Sequence, residues 1–110
     1  MTKPHHNNKE MPIFYACMYP ILKEIAGKYG YALALHGSFV RDMDLIAIPW
    51  TEKARDRKKM IVEISKSLYK ANKQSEVLKS ACKKPHGRIA YTIITGGGGW
   101  VDISVMPRGR

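Results

Sequence analysis

Acidic side chains are scarce in this chain: nine Asp and Glu stand against nineteen Lys and Arg among 110 residues, a formal charge of +10. So large an excess predicts attraction to polyanions such as nucleic acid or nucleotide phosphates, with a merely well-solvated basic surface as the alternative. Cysteine is scarcer still. Cys17 and Cys82 are far apart and have no Cys-x-x-Cys spacing, so neither a zinc site nor a disulfide framework is expected. No apolar run is long enough to span a bilayer, and the opening stretch MTKPHHNNKEMP has no hydrophobic signal core, so a cytoplasmic protein is expected. No basic amphipathic segment carries a Trp and Phe face, which argues against a membrane-surface partner. The length suits one domain with one core.

Residues 1–10 are polar and aperiodic and read as a flexible tail; the His5-His6 pair there lacks further ligands nearby in sequence. From Met11 the single domain begins. Phe14, Met18, Ile21, Leu22, Ile25 and Tyr29 recur at helical spacing, with Pro20 predicting a kink or a break and Gly30 a stop. YALALHG and MDLIAIP read as buried strands. Thr51 is placed to cap a second helix, in which Met60, Ile61, Ile64, Leu68 and Ala71 face inward while Arg57, Lys58, Lys59, Lys66 and Lys70 face solvent. A polar basic segment follows, with a short helical turn over 76–81. Then RIAYTIIT, GGGG and WVDISVMP form strand, glycine tip and strand, which is a hairpin rather than a phosphate loop opening a helix. The expected fold is α+β, a small mixed sheet of about four strands with two main helices packed on it.

The few aspartates are where chemistry concentrates. Asp56 falls near the start of the second helix and is explained by the helix dipole. Asp42 and Asp44 are two apart on a strand and so share one face. In VDISV, Val101, Ile103 and Val105 form one face, which leaves Asp102 on the other with Trp100 and Ser104. Three converging carboxylates need a compensating cation. Spacing alone leaves two solutions open: divalent ions held by carboxylate oxygens, or a structural cluster paired with Arg41, Arg88 or a lysine. In KKPHGR, the residues Lys83, Lys84, His86 and Arg88 supply what an anionic substrate beside the acids would need, a solvated basic loop being the alternative. His36 points away from Leu35 toward the same region. Trp50 and Trp100 read as packing residues, with base stacking the alternative.

HGS after a strand, DMD opening the next and a single Asp on a later strand resemble the nucleotidyltransferase fold of the DNA polymerase β type, particularly its minimal members. The resemblance implies that Gly37 and Ser38 contact a nucleoside triphosphate, that Asp42 and Asp44 bind two Mg²⁺ (or Mn²⁺) ions, and that Asp102 completes the site. The spacing departs from that pattern: only Phe39, Val40 and Arg41 separate Gly-Ser from the acid pair, where the family places a helix. HGS, RD-x-DL, PW, PHGR and DISVMPR blocks also resemble short phage-encoded proteins, which implies the host cytoplasm. The expectation is a Mg-dependent transferase of nucleoside monophosphate, with Asp42, Asp44 and Asp102 as catalytic and metal residues and Gly37, Ser38, Arg41, Lys84, His86 and Arg88 binding the nucleotide. The alternative is a non-catalytic module of the same fold that binds nucleic acid, a nucleotide or a partner protein through its basic surface.

Overall fold

A computed structural model describes residues 11–38 and 41–108, so the expected tail over 1–10 lies outside the described residues. In chain order the elements are α1 (Met11–Lys28), β1 (Tyr31–His36), β2 (Asp42–Pro49), α2 (Arg57–Leu68), α3 (Gln74–Lys79), β3 (Cys82–Lys83), a 3-10 turn at Pro85–Gly87, β4 (Ile89–Ile94) and β5 (Trp100–Val105). The strands form one sheet in the order β1-β2-β5-β4-β3. Neighbours run antiparallel except β2 and β5, which are parallel. The fold is α+β, a mixed sheet with two main helices packed on it. Beside the four longer strands the sheet has a short fifth, β3, whose two residues, Cys82 and Lys83, are too few to show a period of two.

Alternation in the strands decides which face is core. Leu33, Met43, Leu45, Ala47, Tyr91, Ile93, Val101, Ile103 and Val105 are buried on one face and join a single cluster with α1 and α2. Each large aliphatic chain so buried contributes about 1.5–3 kcal/mol, so a one-residue slip of any of these strands is strongly disfavoured. The same alternation sends Asp42, Asp44, Asp102 and Ser104 to the opposite face, which these two helices do not cover.

The helices differ in detail from the sequence expectation. α1 runs unbroken through Pro20, which is exposed, so the carbonyl it leaves without an intrahelical donor lies on the side water can reach. Its buried line is Met11, Tyr15, Leu22 and Ala26, while Ile21 is 46% exposed. Phe14, Met18, Ile25 and Tyr29 of the predicted stripe pack half-buried against the core beside buried Leu22, so the stripe holds except at Ile21, and Tyr15 adds a core position that apolar spacing passes over. α2 is capped by Asp56, whose carboxylate accepts from the Lys59 N–H, and not by Thr51. Ala71 lies beyond the helix and is exposed, and Arg57 is half-buried, donating through Nε to the Tyr91 hydroxyl at 3.1 Å. The short helical turn expected near 76–81 is α3. No helix among the described residues is long and apolar enough to cross a membrane.

Tyr15, fully buried, joins three elements. Its hydroxyl donates to the Arg41 carbonyl at 2.7 Å and accepts from the Trp100 N–H at 3.1 Å, fixing the ends where β2 and β5 begin. The glycine tip makes room for it. Thr95 N–H donates to the Gly99 carbonyl and Gly99 N–H to Thr95 Oγ1, closing the β4-β5 hairpin as expected. A Cβ on Gly99 would overlap Met11 Cε and Tyr15 Oη.

Two outcomes follow from these contacts. Tyr15→Phe removes the partner of the buried Trp100 N–H and of the part-buried Arg41 carbonyl, and urea unfolding is expected to show a loss of about 2 kcal/mol. Glu63 accepts from Lys28 Nζ and, at 2.8 Å, from the Tyr29 hydroxyl, tying α2 to the end of α1. The Lys28 ammonium and the Tyr29 hydroxyl hold the Glu63 carboxyl below its ordinary range, and the bond to Glu63 raises Lys28. The contribution of a depressed carboxyl is present above the unfolded pKa and lost as pH falls through the folded one. That of a raised lysine is lost as pH rises through its folded value. Thermal melts should therefore show the deficit of Glu63→Gln relative to wild type as a plateau near neutrality that shrinks below about pH 4 and again above about pH 10.

Candidate metal centre

The site is built by strand pairing. β2 and β5 run parallel with Asp42 beside Trp100 and Asp44 beside Asp102. Neighbouring strands lie about 4.8 Å apart, so Asp44 and Asp102, on the same face of adjacent strands, project side by side. Asp42, two residues upstream, shares that face. One carboxylate oxygen from each of the three aspartates lies within 4.8 Å of the others, and all three residues are half-buried. The sequence-predicted convergence is thus present, and the triad could hold a metal ion.

β1 brings the Gly-Ser turn to the same place. His36 pairs with Asp44 across the antiparallel β1-β2 ladder, and Gly37 follows with φ +88°. A Cβ at Gly37 would sit 2.8 Å from Asp44 Oδ2. Glycine is needed here on both counts, since other residues rarely adopt that conformation and the carboxylate occupies the space a side chain would fill. Ser38 and Arg41 are exposed at the two ends of the short link to β2.

A cleft of about 970 Å³ covers the open face, a size typical of small-molecule sites. Its acidic wall includes Asp44 and Asp102, and Lys79, Lys84 and Arg88 line it from α3 and the β3-β4 connection. Arg88 is half-buried, donating through Nε to the Pro85 carbonyl at 3.1 Å and through Nη1 to Ser104 Oγ at 3.4 Å. Of the sequence-predicted anion contacts, Lys84 and Arg88 therefore line the same cleft as the acids. His86 is exposed at φ +67° in the turn, and neither it nor Arg41 lines the cleft wall.

Other residues of the wall escaped the sequence reading. Thr92 stands directly opposite Asp102 on β4, where only the β4-β5 register finds it; Ser104, placed on the Asp102 face by alternation, joins it in the wall. Asn72 has no such signal. It is buried beyond the end of α2 and donates from its carboxamide to the Ser65 and Ile94 carbonyls. Trp100 packs as expected, 7% exposed, and its indole Nε1 is buried with no hydrogen-bond partner among the described residues although the residue lines the cleft. Trp50 corrects the packing expectation: it is 77% exposed, just past the far end of β2 from Asp42, and is not part of the cleft wall.

Compared with models of protein families, with curated proteins and with solved structures, the chain matches none. The functional reading therefore stands on the site itself.

Gly37→Ala tests how tightly the turn and the acids are coupled. Strain at positive φ is expected to cost about 1–2 kcal/mol in urea unfolding. The displaced Asp44 carboxylate should also reduce the stabilisation that Mn²⁺ or Mg²⁺ gives the wild type in a thermal-shift titration.

Proposed function

We propose that the protein is a divalent-metal-dependent nucleotidyltransferase that moves a nucleoside monophosphate from a nucleoside triphosphate to a hydroxyl acceptor. The observation that carries this reading is the gathering of three carboxylates within 4.8 Å, two of them, Asp44 and Asp102, in the wall of a cleft that also bears cations. All three donors are hard carboxylate oxygens, which suits Mg²⁺ or Mn²⁺ and disfavours soft metals. Their separation suits a shared centre whose ions lie about 4 Å apart.

Asp42, Asp44 and Asp102 are the residues that would hold the ions. Bound there, the metal would polarise the reacting phosphoryl group, promote ionisation of the acceptor hydroxyl and neutralise charge on the leaving pyrophosphate. In the transfer, a bond forms between the acceptor oxygen and the α-phosphorus. The bond from that phosphorus to the bridging oxygen breaks, pyrophosphate departs and the hydroxyl proton passes to water. The Gly37-Ser38 turn borders the acids on the β1 side, and Lys84 and Arg88 face the phosphates from the other side. The acids are spared from the core by strand alternation, so this chemistry costs the fold little.

A second reading has an observation of its own. Lys58, Lys59, Lys66 and Lys70 are exposed along and just beyond α2, away from the triad, as a polyanion-binding module would require.

The two readings part in one experiment. Trp50→Phe leaves Trp100, at the cleft, as the sole tryptophan reporter. Its fluorescence should respond to Mn²⁺, and to ATP or another nucleoside triphosphate when the metal is present. Adding Asp42→Asn and Asp44→Asn should weaken metal binding by about a hundredfold or more, since each lost charge-assisted contact is worth about 1.5–3 kcal/mol. Nucleotide binding that ignores both EDTA and the two substitutions, and that falls steeply with salt, would assign the protein to the binding-module class instead.

A further inference from the structure

Along β5 the open face changes character at every second residue, from Trp100 to Asp102 to Ser104. On β4, the positions opposite these are Ile94, Thr92 and Ala90, and Arg88 precedes the strand. The Arg88 guanidinium reaches back over the sheet to Ser104, two residues along β5 from Asp102, or about 7 Å. Two bonds hold it there. A guanidinium has five N–H donors, and Pro85 and Ser104 take one each, which leaves three without a protein acceptor among the described residues.

The loop that carries Arg88 is closed on itself. Lys84 N–H donates to the Arg88 carbonyl at 2.9 Å, and between them His86 and Gly87 both adopt positive φ. This closure sets Lys84 and Arg88 next to each other at the base of the loop, on the cleft wall, with Lys79 of α3 on the same wall. Among the described residues none of these three cations forms an ion pair, whereas Lys28, Arg55, Lys59 and Arg108 each do. Glu76 of α3 lines the same wall, but Lys84 and Arg88, brought together at the base of one loop, are like charges whose repulsion a bound anion would relieve. A half-buried, doubly anchored arginine is also pre-organised for an oxyanion in a way that mobile surface lysines are not.

We propose that Arg88, Ser104, Lys84 and Lys79 form a polyphosphate subsite that binds its anion without metal, adjoining the acid triad along β5. The phosphate tail of the substrate then runs from the triad toward the C-terminal end of β5, and not into the Gly37-Ser38 turn. That orientation rests on the triad being the reacting centre, but the subsite itself does not. One residue pair along the strand separates the anchor from the acids, a gap that two consecutive phosphoanhydride links can bridge.

The test is calorimetric titration of inorganic tripolyphosphate into the full chain in EDTA. Wild type should bind. Arg88→Met should bind at least about tenfold more weakly, because charged hydrogen bonds are lost. Arg88→Lys, which keeps the charge and protects against a folding defect, should lie between the two because lysine cannot reproduce the anchored fork. Asp42→Asn with Asp44→Asn should bind as well as wild type or better, and Lys58→Ala with Lys59→Ala, on the outer face of α2, should leave binding unchanged. Absence of tripolyphosphate binding, wild-type affinity in both Arg88 variants, or an equal loss on removing the α2 lysines would overturn the subsite. Failure of the transferase reading looks different: tripolyphosphate would still bind through Arg88 while nucleotide binding showed no dependence on metal or on the aspartates.

Discussion

Asp44 and Asp102 stand side by side because β2 and β5 run parallel and in register, and much of the chain serves to make that pairing possible. Parallel neighbours cannot be joined by a tight turn. The path from Trp50 to Gly99 supplies the crossover, carrying α2 over the core face and returning through α3, β3 and β4 to the start of β5. The register is set by what lies beneath it. Met43, Leu45 and Ala47 alternate into the same core as Val101, Ile103 and Val105, so a slip of one residue would bury the acids and expose the aliphatic chains.

The Tyr15 clasp connects this register to the helix layer. A hydroxyl held between the Arg41 carbonyl and the Trp100 N–H fixes the starts of both acid-bearing strands relative to α1. Gly99 is a consequence, since any side chain there would collide with Tyr15 and Met11. The four-glycine tip thus contributes space as well as a turn. Gly37 plays the matching part on the opposite face, where the absent side chain leaves room for the Asp44 carboxylate. Two glycines, one on each face, let the backbone close around the pairing from both sides.

Much of this was legible in the sequence, for reasons that also explain the rest. Alternation by two identified the four longer strands and the face of Asp42, Asp44 and Asp102, because a strand has no other way to separate core from solvent. It also predicted the hairpin at the glycines. Adjacency of β2 and β5 is a long-range property that no local pattern encodes, so convergence of the acids could only be posed as a geometric question. In α1 the apolar spacing marks the core-facing stripe apart from exposed Ile21, but it passes over Tyr15, whose hydroxyl is satisfied in the core. Asp56 rather than Thr51 caps α2 because turns at Thr51–Arg55 delay the helix start. Trp50 shows the converse: a large aromatic beside a buried strand can still be solvent-facing, since strand alternation ends where the strand does.

The arrangement of charge on the open face bears on what the acids are for. On its β1 side the triad has His36 opposite Asp44, whereas on its β4 side no basic residue stands directly across the ladder. The position opposite Asp102 on β4 is Thr92, and the one opposite Ser104 is Ala90. The nearest cation from that side, Arg88, begins a further step along, and its reach is spent on Ser104 and the Pro85 carbonyl. The Arg88 anchor at Ser104 and the triad residue Asp102 therefore share one cleft a residue pair apart along β5, and the loop from Lys84 to Arg88 is closed by a backbone hydrogen bond. The layout leaves a negative and a positive subsite facing the same space. A ligand with an anionic tail and an affinity for divalent cations complements both, which is why the metal reading and the polyphosphate reading meet on the same strand.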